Sequence, residues 1–219
     1  GVINDGEEIA KICKKHSGTY FHSDLTQAIG KVDVDLTNID MASFSAHKIH
    51  GLKGSGALIV KQHVKLLPLI NGGQQEFGIR GGTSNALVNI VLSKTLRLAL
   101  ENKDKYSKIH KEYHDYLISK LDNVKINSNE YCLDNLINIS TPITSEVLLN
   151  ALNDKGIMVS SKSTCGSRKN ENNRTLKALG IDDNYSIRIS FDYHNTYEEL
   201  DYFISCIKEI IDKYGRTII

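Results

Sequence analysis

Ser43-Phe44-Ser45-Ala46-His47-Lys48-Ile49-His50-Gly51 is the stretch on which the reading of this chain turns. The run Met41-Ala42-Ser43-Phe44-Ser45 predicts a short strand, and the lysine falls just beyond its exit, with Gly51, Gly54 and Gly56 close behind. Upstream, Asp24 stands in Tyr20-Phe21-His22-Ser23-Asp24-Leu25-Thr26-Gln27, directly after the β-type run Thr19-Tyr20-Phe21-His22. In α/β folds ligands gather at the ends of strands, so an amine and a carboxylate placed there are candidates for chemistry.

Working outward, residues 7–16 place Ile9, Ile12 and Cys13 at helical spacing, with Glu early and Lys late to match the helix dipole. Ala57-Leu58-Ile59-Val60 predicts another short strand. A helix followed by several apolar strands predicts part of a mixed, mostly parallel sheet in an α/β fold. From Asn85 to about Leu121 the apolar spacing, free of proline, predicts one long helix or two broken near Asn102, bridging two domains. Beyond it the pattern becomes α+β. It predicts a strand at Leu136-Ile137-Asn138-Ile139, a helix from Ser145 to about Asn153, strands at Ile157-Met158-Val159 and Ser186–Phe191, and a last helix opened by the capping box Thr196-Tyr197-Glu198-Glu199. The expected division is a partial ligand-binding large domain over 1–84, then the bridging helix and a smaller α+β domain over 85–219.

Composition narrows the function. Among 219 residues, 27 basic and 26 acidic side chains leave a formal charge of +1, so no global field attracts nucleic acid or an anionic membrane. Apolar runs such as Gly56-Ala57-Leu58-Ile59-Val60 fall far short of the roughly 20 residues of a spanning helix, and the reading is a cytoplasmic protein. The four cysteines, Cys13, Cys132, Cys165 and Cys206, have neither zinc-site spacing nor the density of a disulfide scaffold, and reduced thiols are expected. The chain opens on Gly1 with a helix that feeds a strand, which reads as a fragment.

Taken alone, a lysine after a strand is a solvated surface residue and an aspartate there is a strand-end cap. Together they supply what pyridoxal phosphate requires: an amine to form an imine with the aldehyde, and a carboxylate to keep the pyridine nitrogen protonated. Ser45 and His47 beside Lys48 are suitable donors to a phosphate, and Gln27, one helical turn beyond Asp24, has an amide for the phenolic oxygen. Cys165 lies in the polar loop Ser160–Asn170, where Lys162, Arg168 and Lys169 favour the nucleophilic thiolate; the plainer alternative is an exposed loop cysteine. Cys13 and Cys206 sit in helical patterns and read as structural. Arg188 alternates with apolar residues in Ile187-Arg188-Ile189-Ser190-Phe191, and a charge there needs an anionic partner, either an internal carboxylate or a ligand. His22, His50 and Arg80 are placed near the site without an assigned role.

Two segments carry a more specific resemblance. Phe21-His22-Ser23-Asp24-Leu25-Thr26-Gln27-Ala28-Ile29-Gly30-Lys31 and Ser43–Gly51 look like the cysteine desulfurases of the class V aminotransferase group, fold-type I pyridoxal phosphate enzymes. Gly72-Gly73-Gln74-Gln75-Glu76-Phe77-Gly78-Ile79-Arg80-Gly81-Gly82-Thr83 resembles a further segment of the group. The resemblance implies that Lys48 carries the cofactor, Asp24 meets the ring nitrogen, Gln27 the phenolic oxygen, and Ser45 and His47 the phosphate. It implies that Thr83 reaches the phosphate held by the neighbouring subunit of a homodimer, that Arg188 binds the α-carboxylate of L-cysteine, and that Cys165 forms the persulfide passed to a sulfur-acceptor or scaffold protein. That sulfur would supply iron–sulfur clusters or thio-cofactors. The match covers the C-terminal portion of such enzymes, so the chain alone is expected to hold cofactor weakly or not at all. Leu52, Gln74, Phe77, Lys162 and Thr164 depart from the group's usual residues. Another class V enzyme, an aminotransferase, selenocysteine lyase or kynureninase-like hydrolase, would not need Cys165, and a scaffold fragment would need no cofactor.

Overall fold

The computed structural model describes residues 1–161 and 174–215, which divide into two units: Asn4–Asp104, and Lys105–Ile219 together with Gly1–Ile3.

In the N-terminal unit, helix α1 (Gly6–Lys14) starts where Asp5 accepts a hydrogen bond from the Glu8 N–H. Glu7 and Glu8 in its first turn both pair with Lys11. Three strands follow, β1 (His22–Asp24), β2 (Met41–Ser45) and β3 (Gly56–Val60), in a mixed sheet ordered β1-β2-β3, parallel between the first pair and antiparallel between the second. The first strand starts later than the expected Thr19–His22. The Asp40 carboxylate takes the Phe21 N–H at 2.8 Å, so a side chain occupies the place of a ladder partner there.

The long helical pattern is two helices, α2 (Ala86–Glu101) and α3 (Lys103–Lys120). They part at Asn102, whose side-chain amide donates to the Leu98 carbonyl at 2.8 Å and so competes with continued helix. Leu92, Leu96 and Ala99 of α2 pack against the buried Leu25, Ile39, Ala42, Phe44 and Ile49. This packing keeps α2 in the N-terminal unit, whereas the sequence reading divided the chain after residue 84.

The C-terminal unit has an antiparallel sheet, β4 (Lys125–Ile126), β5 (Leu136–Ser140) and β6 (Ser186–Ser190), with helices α4 (Ser145–Asp154), α5 (Arg174–Ala178) and α6 (Tyr197–Tyr214). Ile137, Ile139, Ile187 and Ile189 leave one sheet face for a core shared with Leu117, Leu148, Leu152, Phe203, Ile207 and Ile210. At the start of α6 the Thr196 hydroxyl accepts from the Glu199 N–H while the Glu199 carboxylate accepts from the Thr196 N–H, the capping box expected from the sequence. Ile157-Met158-Val159 forms no strand; among the described residues of this segment the backbone pairs with β6 only at Ser160, by a bridge to Arg188. Among the described residues no helix is long and apolar enough to cross a membrane, and no cluster of three or more His, Cys, Asp or Glu is arranged to hold a metal.

Candidate active site

Parallel pairing sets His22 opposite Met41 and Asp24 opposite Ser43, so His22, Asp24, Ser43 and Ser45 leave the sheet on one face. Ala42 and Phe44, 1% and 5% exposed, leave on the other and anchor β2 in the core. This alternation holds the polar row open while its strand is fixed from behind.

Asp24 is bound into the next turn. Its Oδ1 accepts from the Thr26 N–H at 2.9 Å, and the Thr26 hydroxyl in turn accepts from the Ser45 N–H at 3.2 Å. The end of β1 is thereby tied to the exit of β2. Hydrogen bonds from the Thr26 hydroxyl and backbone, with a smaller contribution from nearby His22, hold the Asp24 carboxyl below the usual carboxylate value, against the opposing effect of burial. An ionised carboxylate is what a protonated ring nitrogen needs. The same contact also fulfils the plainer reading of Asp24 as a local cap.

Lys48 sits on a single 3-10 turn, Ala46–Ile49, with Ala46 and Ile49 buried and His47 and Lys48 exposed. The turn closes through His50 in a left-handed conformation and through the Gly51 N–H, which donates to the Ala46 carbonyl at 2.9 Å. A Cβ at Gly51 would lie 2.9 Å from the Ala46 carbonyl oxygen and 3.0 Å from the Thr95 hydroxyl of α2. At Gly56, opposite Ser45, it would lie 2.4 Å from the Phe44 carbonyl oxygen. Both positions therefore need glycine for close approach, and both shape the mount of Lys48.

Gln27 is exposed beyond Asp24, and its Oε1 accepts from Lys31 at 2.8 Å. Thr83 is exposed in a loop folded by the Gly81 N–H to the Ile70 carbonyl, 2.8 Å, and by Arg80 to the Gly82 and Thr83 carbonyls. Arg188 belongs to the C-terminal unit. Its Nη2 reaches the Ser160 hydroxyl at 3.3 Å, while its Nε is buried without a hydrogen-bond partner among the described residues. Cys165 lies outside the described residues.

The structure thus gathers Asp24, Ser45, His47 and Lys48 around the β1 and β2 exits. Sequence reading missed Thr26, which joins Asp24 to Ser45. The signal was the spacing Asp-x-Thr, which recurs at Asp35-Leu36-Thr37 with the same carboxylate-to-N–H contact at 2.7 Å.

An exposed lysine on a strand-exit turn and a carboxylate at the end of the neighbouring parallel strand belong to one α/β unit. Residues 1–203 match the aminotransferase class-V family, and the chain belongs to that family. It is 37% identical over 96% of its length to a cysteine desulfurase IscS of Clostridium botulinum (strain Hall), of which the match covers 56%. A solved NifS-like protein superposes with a TM-score of 0.87 at 35% identity, covering 97% of this chain and 58% of that one. A structure described as SspA in complex with cysteine superposes at 0.70 with 28% identity, over 90% of this chain and 56% of that one. The chain spans somewhat more than half the length of these relatives, and its architecture is the partial fold-type I α/β arrangement expected from the sequence.

Proposed function

We propose that this chain carries the cofactor lysine, the ring-binding carboxylate and the sulfur-transfer machinery of a pyridoxal-phosphate-dependent cysteine desulfurase. The observation that carries the reading is the tie Asp24–Thr26–Ser45, which joins the carboxylate at the end of β1 to the exit of β2 that continues into Lys48. Pyridoxal phosphate, when bound, supplies an electron sink for the substrate's α-carbon. Lys48 holds the cofactor and moves the α-proton, Asp24 faces the ring nitrogen, Gln27 the phenolic oxygen, and Ser45 and His47 the phosphate. For Gln27 to do so its amide must leave Lys31 or share it.

Arg188 binds the substrate α-carboxylate. Its Nε, buried and without a hydrogen-bond partner among the described residues, fits a group that awaits an anion, because an unpaired interior donor is costly. Cys165 forms an S–S bond to the substrate sulfur as the substrate C–S bond breaks, leaving alanine and an enzyme persulfide. Sulfur then passes to an acceptor or scaffold protein that serves iron–sulfur cluster or thio-cofactor assembly. The active species is a homodimer, with Thr83 reaching the partner's phosphate. Leu67, Leu69 and Phe77, all more than 90% exposed around that loop, support a covered interface. Balanced charge and dispersed cysteines support the cytoplasm as its location.

The test uses a protein of the relatives' full length carrying this segment. Borohydride reduction should attach the cofactor mass to the peptide containing Lys48. L-Cysteine should then yield alanine with a persulfide on Cys165, and Cys165→Ser should abolish the persulfide while retaining bound cofactor. Undiminished sulfur release by Cys165→Ser would turn the reading to another class V reaction.

A further inference from the structure

The sheet face that carries Asp24 holds a second titratable side chain for which the desulfurase reading has no use. His22 lies two residues before Asp24 on β1, and its Nε2 is 3.0 Å from the Ser43 hydroxyl, while Ser43 is the residue paired with Asp24 across the parallel ladder. The imidazole therefore leans along the strand toward the carboxylate. A hydroxyl both donates and accepts, so Ser43 keeps its contact whether Nε2 carries a proton or not. Protonation changes the charge on this face without releasing the ring.

Other charged or titratable groups near this face are His47 and Lys48 on the turn after β2, which the desulfurase reading assigns to the phosphate and the cofactor. Strands β2 and β3 contribute no charged side chain. At the start of β1, Asp40 is already engaged by the Phe21 N–H and by His63 at 2.9 Å. Leu58 of β3, paired with Ser43 on the side away from β1, is apolar. An imidazolium at His22 thus meets Asp24 as the carboxylate of its own face, and its field reaches whatever cation Asp24 holds.

We propose that His22 is a positioning residue for Asp24 that acts as a proton-controlled rival to the cofactor's ring nitrogen. Neutral His22, fixed by Ser43, leaves the carboxylate to the protonated pyridine; charged His22 takes part of the carboxylate's attraction and repels the ring cation, so acid loosens the cofactor. The inference rests on the assignment of Asp24 to the ring nitrogen.

The experiment compares wild type with His22→Gln, which keeps a hydrogen bond to Ser43 and cannot become charged. Cofactor dissociation constants of the holoenzyme are measured across the neutral to mildly acidic range. In the same cofactor-free proteins the Asp24 carboxyl is titrated by carbon-13 NMR. Wild type should lose severalfold more affinity than His22→Gln across that range. The Asp24 titration should move upward in His22→Gln, because the variant lacks the positive charge that favours the carboxylate. Parallel pH profiles, or an Asp24 titration that does not move, would overturn the inference. If Asp24→Asn binds cofactor as tightly as wild type, the assignment of Asp24 itself fails, and the inference fails with it even when the titration shows His22 and Asp24 coupled.

Discussion

Leu148, in α4 of the C-terminal unit, is wholly buried, whereas Leu58, on β3 of the N-terminal unit, lies half in solvent. The contrast is general. Helices α3, α4 and α6 enclose one sheet face of the C-terminal unit in a continuous aliphatic core, and the polar residues Asn127, Asn138, Ser140 and Ser186 satisfy one another in hydrogen bonds on the other. The N-terminal unit buries a much smaller group, and Leu58, Leu87, Ile90, Leu67 and Leu69 stand exposed on it. One unit closes its own core; the other presents faces suited to cover by further protein.

The sharpest way to break this comparison is truncation in each unit. Leu148→Ala should cost about 3 kcal/mol through lost burial and an unfilled cavity. Leu58→Ala should cost less than about 1 kcal/mol in the 219-residue chain, because solvent already reaches that side chain. Hydrogen exchange read by mass spectrometry reports the two units separately, and equal losses would remove the distinction. Gly56→Ala comes next, at about 2 kcal/mol, since its new methyl would press on the Phe44 backbone carbonyl. The accelerated exchange should be confined to β2 and β3; a spread into the C-terminal sheet would contradict two separately closing units.

Thr196→Ala should cost about 1 kcal/mol by removing one half of the α6 capping box, read as faster exchange at the first turn of α6. The smallest effect concerns acid. The folded Asp24 carboxyl lies below its ordinary value, so its contribution to stability is complete above the ordinary carboxylate range and fades as pH falls through the lowered value. Thr26→Val removes the hydroxyl contact, so the Asp24 titration should rise and the acid loss should begin at higher pH. An unchanged acid profile would show that Thr26 does not hold the carboxylate.

Local chemistry made parts of this molecule legible in the sequence. The capping box at Thr196 and the strand leading to Lys48 both depend on neighbours within a few residues, and both occur where expected. The break near Asn102 follows from an amide that reaches its own helix. What escaped depends on distant partners. Ile157-Met158-Val159 has the composition of a strand, but among the described residues of this segment only Ser160 finds a backbone partner on β6. The shifted start of β1 is set by Asp40, far along the chain. In the candidate site, Lys48 and Asp24 fall at strand exits as the sequence predicted, while Thr26 was not foreseen, because a threonine in a turn acquires meaning only once Ser45 is folded against it.

The two crowded glycines have a consequence for how far the Lys48 side chain can reach. With Gly51 wedged against Ala46 and Thr95, and Gly56 against Phe44, the α-carbon of Lys48 rides on a mount with little backbone freedom. The reach of its amine is set by its own methylenes. A shortened analogue at this position would place its amine nearer the turn by the missing length.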